Sequence, residues 1–491
     1  MAKRSAGFVL AEWRRFGRSP KLVFWATLIV AMLAAEGAFG GGFALSGVGS
    51  KAINMGGAFR GLADDWSAAY WNPAGLAQLD ESEVTAMLVG ISPRVEYNPD
   101  LTYGGVDVGY RSGMTRYPDD KTNFLPDFSG FFKFEGFEDY TVGLAIFVPM
   151  GLSSQWDLFN PTPEMDIGQP FPYYDHKATL TVLDFHPTVA RSFMDGKFSL
   201  GAGLSIQRGD VVFKKTFLRP SGIPIPHEYL LIDSEVEGDG WGYGANFGLL
   251  YKLSDKMQFG ISGKTSTTLK LKGTATQELF TFHDDVLRDV LLNSVTTLQD
   301  SLLVRYLFAT DSHVAGPSAK ADLKTPADIG FGLAIKPTDK LTLAGQVDYT
   351  MWSALDSILI ELNGLDPMGA PAENTPIVLK WDDTVRFSFG GEYWLKDPLA
   401  LRFGYFFDPS PIPDETFTPL IPDLGDKNSF NIGLALRVSG AELAYNFEYI
   451  SFADREITTL SDANGDGDFD NYPGLYKSSL FASHVSFTYR F

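Results

Sequence analysis

Residues with oxygen ligands gather near the end of the chain. Asp462, Asn464, Asp466, Gly467, Asp468 and Asp470 follow the D-x-N-x-D-G opening of a calcium loop, whose oxygens suit a hard cation. The twelfth position is Pro473, so the usual bidentate Glu is missing and a solvated acidic loop competes with Ca2+ binding. A second pattern is apolar. Val286, Leu287, Val290, Leu291, Val295, Leu298 and Leu302 recur at spacings of three and four, the mark of an amphipathic helix within a long connection. Other chemistry is scarce. The chain has no Cys, which removes thiol catalysis, thiolate zinc sites, iron–sulfur ligation and disulfides together. Its six His sit in no recognisable Ser or metal motif, so an enzyme is not expected. A net charge of -20 argues against nucleic acid, which needs clustered Lys and Arg to displace counterions.

The elements that would position these residues are strands. At the N-terminus, Lys3, Arg4, Arg14, Arg15, Arg18 and Lys21 precede the apolar run Leu22 to Leu33 and the small residues Ala34, Ala35 and Gly37. That is a secretory signal peptide over residues 1–37, since the run is shorter than the roughly 20 residues needed to span hydrocarbon. Its removal leaves 34 basic and 58 acidic side chains, a net charge of -24. Beyond it the apolar period is two. Phe198, Leu200, Ala202, Leu204 and Ile206 alternate with Ser199, Gly201, Gly203, Ser205 and Gln207. Tyr140 to Val148 and Trp241 to Tyr251 repeat the pattern.

About fourteen such segments begin near residues 83, 127, 140, 177, 197, 240, 256, 325, 340, 378, 398, 428, 441 and 479. Their connections alternate strictly. Short turns at 135–139, 195–196, 254–255, 337–339, 395–398 and 439–440 separate long loops at 98–126, 154–176, 219–239, 274–324, 355–377, 409–427 and 454–478. The asymmetry, the even count and the aromatic residues predict an all-β fold, a transmembrane antiparallel barrel over residues 83–491 in the bacterial outer membrane. In lipid only closure satisfies every strand edge. One strand face is apolar and the other mostly Gly, Ser, Thr and Gln, which suits a wet or plugged lumen. The final Val485, Phe487, Tyr489 and Phe491 resemble the assembly signal of outer-membrane barrels, so the barrel-assembly machinery is an expected partner.

Residues 38–82 do not fit a wall. Gly40 to Gly42, Gly47, Gly49, Gly56, Gly57 and Gly61 make them pliable, and Asp64-Asp65 can cap a short helical turn through Tyr70 that Pro73 ends. A fourteen-stranded lumen needs a plug to be selective, and this segment is the candidate.

These residues carry a resemblance. Gly42-Phe43-Ala44-Leu45, Ala63-Asp64-Asp65 and Asn72-Pro73-Ala74-Gly75-Leu76 resemble the N-terminal hatch of FadL-type outer-membrane transporters of long-chain fatty acids and aromatic hydrocarbons. Val148 to Leu152, Asp184 to Pro187, Leu200 to Leu204, Trp241 to Gly244, Lys336 to Leu343 and Ser410 to Thr416 follow in that family's order. The resemblance implies a fourteen-stranded barrel plugged by a small helical hatch, and passive uptake of hydrophobic molecules. It gives Asn72, Pro73 and Ala74 the hatch role, the loop helices a capture groove, and the third strand a kink for sideways exit. Pro149 and Gly151 lie on that strand, and proline cannot donate to a ladder. The chain departs from the family in its sixth outer loop, where Phe417 and Leu420 stand in place of basic residues and shift weight toward uncharged substrates. The expected partners are a hydrophobic small molecule, outer-membrane lipid and lipopolysaccharide, which divalent ions could bridge to acidic loops, with the barrel a monomer. A hydrophilic porin or structural surface barrel is the alternative.

Overall fold

A computed structural model describes residues 44–491 except 102–109, 111, 120–121, 162–166, 168, 224–226, 422, 424 and 467–468. The expected signal peptide, the first residues of the hatch segment and Asp468 lie outside the described residues. No described helix is long and apolar enough to cross a membrane.

Fourteen antiparallel strands form a closed wall. They are β1 (Glu83–Pro99), β2 (Asn123–Phe132), β3 (Tyr140–Trp156), β4 (His176–Phe193), β5 (Phe198–Pro220) and β6 (Tyr229–Ser254). Next come β7, in two pieces Met257–Lys264 and Thr267–Phe280, and β8, in two pieces Ser318–Thr325 and Asp328–Thr338 around Pro326. The wall ends with β9 (Leu341–Thr350), β10 (Thr384–Lys396), β11 (Leu399–Asp408), β12 (Lys427–Val438), β13 (Ala441–Phe452) and β14 (Gly474–Arg490). β14 pairs with β1 from Glu83↔Arg490 to Pro99↔Gly474, which closes the barrel.

Alternation decides which face each residue takes. Leu200, Leu204, Trp241, Tyr243, Phe247, Phe331, Phe389, Ile432, Val485 and Phe487 point outward and exposed, while Ser199, Ser205, Gln207 and Asn246 point inward and buried. Ala202 lies on the outward face between Leu200 and Leu204. The short turns fall where the sequence predicts, but two long loops are shorter than expected. β6 already begins at Tyr229 rather than near 240, and β7 continues to Phe280. Their upper pairing, Leu231↔Phe280 to Trp241↔Lys270, carries polar residues on its outward side, so a search for lipid-facing alternation stops too early.

Inside the barrel lies the segment from Ala44 to Leu79. It contains α1 (Ser50–Asn54), α2 (Ala68–Trp71) and a 3-10 turn, Pro73–Gln78. Asp65 does not cap a helix through Tyr70 directly. Its carboxylate instead accepts from Ser67 N (2.9 Å) and Oγ (2.6 Å), and α2 begins at Ala68. Phe59, Leu62, Trp66, Trp71 and Leu76 form one apolar core with inward residues of the wall.

Candidate functional site

The hatch is fixed to the wall by polar bonds and by missing side chains. Asn72 is fully buried. Its Nδ2 donates to the carbonyls of Arg60 (2.8 Å) and Leu249 on β6 (3.1 Å), and its Oδ1 accepts from Ala74 N (3.2 Å) and so caps the 3-10 turn. Gly248 leaves the room for this, because a Cβ there would overlap Asn72 Oδ1; at Gly404 of β11 a Cβ would overlap the backbone of Gly56. Asn72, Pro73 and Ala74 therefore form a wall anchor, packed on Gly201 and Gly248.

A second anchor was invisible in the sequence. Phe59 N and Arg60 N both donate to Gln346 Oε1 (2.8 and 2.6 Å). The Arg60 guanidinium donates to Asp348 (2.6 Å), to Ser262 O and Oγ (2.9 and 2.7 Å), and to Asp328. One buried cation thus joins the hatch to β7, β8 and β9. The only hint in the sequence is a single Arg within a run of Gly, Ala and Phe, and its partners lie more than 200 positions away. On the short-turn side Lys51 pairs with Asp64 (2.9 Å) and Glu392 (3.4 Å), and Arg402 joins Glu392 (2.7 Å) to Glu442 (2.9 Å). The floor of the barrel is closed by charge.

Among the described residues, one cavity lies beside the hatch and another farther out in the lumen. The inner one, with about 990 Å³ of unfilled space including its open part, has a mixed lining, with Arg60, Asp184, Gln207, Lys264 and Arg386 beside apolar residues such as Trp71, Phe147 and Met150. The outer one, about 800 Å³ on the same measure, is almost wholly apolar, lined by Leu152, Leu180, Val211, Leu271, Leu323 and Ile377 among others. The expectation of a lumen face of Gly, Ser, Thr and Gln holds only for the inner half. In the outer half, Leu180, Leu271 and Leu323 are buried inward, and loops close over them. Phe417 and Leu420 of the sixth outer loop belong to this apolar cluster, with the Arg455 guanidinium 4.1 Å from the Phe417 ring.

Beside the inner cavity the wall is incomplete. β2 and β3 pair only from Phe128↔Ile146 to Phe132↔Val142. Farther out, β2 pairs with β1 as far as Asn123↔Ile91. β3 pairs there with β4 alone, after a register shift between Phe147 and Met150. Pro149 sits in that irregularity and lines the inner cavity; Gly151 follows it, buried, on the same strand. Pro126 lies on the facing stretch of β2, so each border contains a residue without an N–H. The strand edge is partly capped by the hatch tip. Leu45 N donates to Pro149 O (3.1 Å), Ala44 bridges Met150, and Ser46 is held by Glu448 (2.9 Å) and by Arg386, which donates to its carbonyl (3.1 Å).

The outer loop after β7 forms two helices where the sequence predicts one. α3 (Asp285–Ser294) is capped by Asp284, whose carboxylate accepts from Leu287 N (2.8 Å); α4 (Leu298–Leu307) is capped by Thr297, which accepts from Asp300 N (3.0 Å). Thr297 competes with helix continuation by offering its hydroxyl to the backbone, which breaks the run. Leu287, Leu291 and Val295 pack inward on Phe282, Val304 and Phe308, whereas Val286 (76% exposed), Val290, Leu298 (77%) and Leu302 face solvent. The acidic loop turns its oxygens on itself. Asp462 Oδ1 accepts from Gly465 N (2.6 Å) and Asp466 N (3.1 Å), Asn464 donates to Asp466 (2.8 Å), and Asp470 accepts from Ala463 N (2.7 Å). Among the described residues no group of three or more His, Asp or Glu is arranged to hold a metal.

Comparison with known proteins places this architecture. The chain is 24% identical over 451 residues to an outer membrane protein of Neisseria meningitidis serogroup B, covering 87% of this chain and 90% of that one. The crystal structure of a Pseudomonas aeruginosa FadL homologue superposes with a TM-score of 0.72 at 20% identity, covering 92% of this chain and all of that one. The Pseudomonas putida toluene transporter TodX gives 0.67 at 16% identity, covering 91% and 99%. The family model described as outer membrane protein transport protein (OMPP1/FadL/TodX) matches residues 31–491, so the chain belongs to that family of outer-membrane transport channels and is not an enzyme.

Proposed function

We propose that this barrel imports long-chain fatty acids or aromatic and aliphatic hydrocarbons passively. Capture occurs on the exposed apolar residues of α3 and α4, Val286, Val290, Leu298 and Leu302. The molecule then enters the apolar outer cavity. A shift of the hatch around Asn72, Pro73 and Ala74 withdraws Ala44 and Leu45 from the β3 edge, and the substrate leaves sideways past Pro149 and Gly151 into the bilayer. Transfer of apolar surface out of water supplies the driving force. The observation that carries this reading is the unpaired seam between β2 and β3 beside a lumen whose floor is shut by the hatch. A channel for hydrophilic solutes has no use for a side opening.

The chain's lack of Cys makes a clean test possible. Val148 N lies 3.4 Å from Asp127 Oδ1 across the seam, so the pair Asp127→Cys and Val148→Cys can be oxidised to a staple. Vesicle uptake of radiolabelled oleate or toluene should stop in the oxidised form and return on reduction. Undiminished uptake through the stapled wall would remove lateral exit. Steady ion conductance with neither probe transported would favour a porin. Ca2+ at Asp462, Asn464, Asp466, Asp468 and Asp470 is a separable part of the proposal: EDTA should lower the melting temperature of the parent protein and leave Asp462→Asn unchanged.

A further inference from the structure

The upper piece of β8 is paired along its whole length on one side and hardly at all on the other. Toward β7 it pairs from Ser318↔Thr274 to Thr325↔Thr267. Toward β9 its neighbour is a hairpin of Ser357–Asn363 and Thr375–Val378, which meets β8 only from Ser318↔Asn363 to Lys320↔Glu361. Among the described residues no strand pairs with residues 321–325 on that side, and the ladder resumes only at Asp328↔Thr350. Paired strands are held about 4.8 Å apart by their ladder, and beyond Lys320 no ladder holds these two at that spacing. The outer cavity reaches into the gap: Ala321 and Leu323 line it from β8, and Ile358, Ile360 and Ile377 from the hairpin.

The gap opens at the outer rim of the lipid-facing band. On β6 the exposed aromatics Tyr243 and Trp241 give way to Asp239 and Glu237, and Lys270, opposite Trp241, faces the exposed Asp322 of β8. From above, the cavity is shut. Phe417, Leu420 and Trp381 are buried there in one apolar cluster with Leu152 and Leu323. A path from the loop helices leads to the gap instead. Tyr306 of α4 donates to the carbonyl of Pro367 at the hairpin tip, so α4, with its exposed Leu298 and Leu302, abuts the hairpin. Leu365 and Met368, on either side of Pro367, are themselves exposed. Contiguous exposed apolar residues of this kind mark a surface for a hydrophobic ligand.

We infer that the gap between β8 and the hairpin is the entrance of the outer cavity. A hydrophobic molecule leaves α4 over Leu365 and Met368 and passes between Ala321 and Ile358 from the side, not through the roof. This rests on the uptake reading above and adds the hairpin to the route. Because the chain has no Cys, one thiol can be placed at either position: Ala321→Cys on the rim of the gap, or Glu415→Cys, exposed on the sixth outer loop. Each full barrel is treated in detergent micelles with a bulky water-soluble maleimide, reconstituted, and assayed for vesicle uptake of radiolabelled oleate or toluene. The rim thiol should react and its adduct should lose most of the uptake of the untreated variant, whereas the Glu415→Cys adduct should keep it. Heat-modified gel migration reports folding, with Ile358→Cys as the substitute if Ala321→Cys misfolds. An unreactive rim thiol, undiminished uptake through a labelled rim, or loss of uptake on labelling the roof alone overturns the side entrance and leaves the importer standing. A parent barrel that takes up neither probe overturns both.

Discussion

The inner and outer halves of the lumen are built from the same strands and solve opposite problems. The inner half is bolted together by directional contacts around its cavity: glycines bring wall and hatch backbones together, and Arg60, Asn72 and Gln346 join them with buried hydrogen bonds. The outer half keeps unfilled space among Leu152, Leu180, Leu271 and Leu323. Satisfied polar contacts specify one geometry and resist change, because a lost partner leaves a buried group unpaired. Apolar contacts are non-directional and tolerate guests of many shapes. A selective stopper and a permissive chamber therefore call for different chemistry, and one strand supplies both within a few residues, as Leu323 does above and Asp328 below.

The strongest way to break the contrast is Arg60→Met. It would leave Asp348 without its buried cation and Asp328 with Lys264 alone (3.7 Å), a loss of about 3 to 5 kcal/mol in the seating of the hatch. Persistent ion conductance in planar bilayers is the expected outcome, and a silent membrane would show that the floor ion network suffices alone. Asn72→Ala removes hydrogen bonds to Arg60 and Leu249 from a buried position and should cost about 1 to 3 kcal/mol, read as intermittent rather than steady conductance. In the outer half the effect should fall on the guest instead. Leu180→Gln should weaken binding of a hydrophobic probe about tenfold, some 1.4 kcal/mol, while lowering thermal stability less than Arg60→Met does. An equal loss of stability would mean that the chamber is packed as tightly as the stopper.

The smallest effect concerns the loops above both halves. Leu287 N–H donates to the Asp284 carboxylate and holds it below its ordinary value of 3.8, with His227 3.5 Å away adding to this. A lowered carboxylate stabilises the folded form above its ordinary value, and that contribution disappears as pH falls through the lowered one. The protection factor of the Leu287 amide, its exchange rate divided into the unstructured rate at the same pH, should be constant from neutral pH down to about 4 and fall only in stronger acid. A loss of protection that already sets in near neutral pH would sink this assignment to the Asp284 carboxylate.

Much of the wall was legible because lipid forces period-two alternation and short turns break it visibly. The apolar outer chamber was not, since Leu180 and Leu323 lie inward on strands whose outward face there is polar, the reverse of the pattern a membrane strand presents. The helix break at Thr297 escaped a reading based on Leu and Val spacing alone, because a cap acts through one hydroxyl. Pro149 stood out by its missing donor. Arg60 gave almost no signal, because its role depends on carboxylates brought near only by closure of the barrel.

The seam carries a further consequence for the protein's neighbours. Along Asn123–Asp127 and Phe147–Ser154, before Asp119 N rejoins Gln155 O (3.2 Å), β2 and β3 do not pair with each other, and a passing chain would gain much by adding a strand there. Pro126 and Pro149 spoil the regular run of donors that such an intruder would need, and Ala44 takes the bridge at Met150 from inside. The same two rings thus also keep strangers from sewing the seam shut, which the proposed sideways exit requires in a crowded membrane.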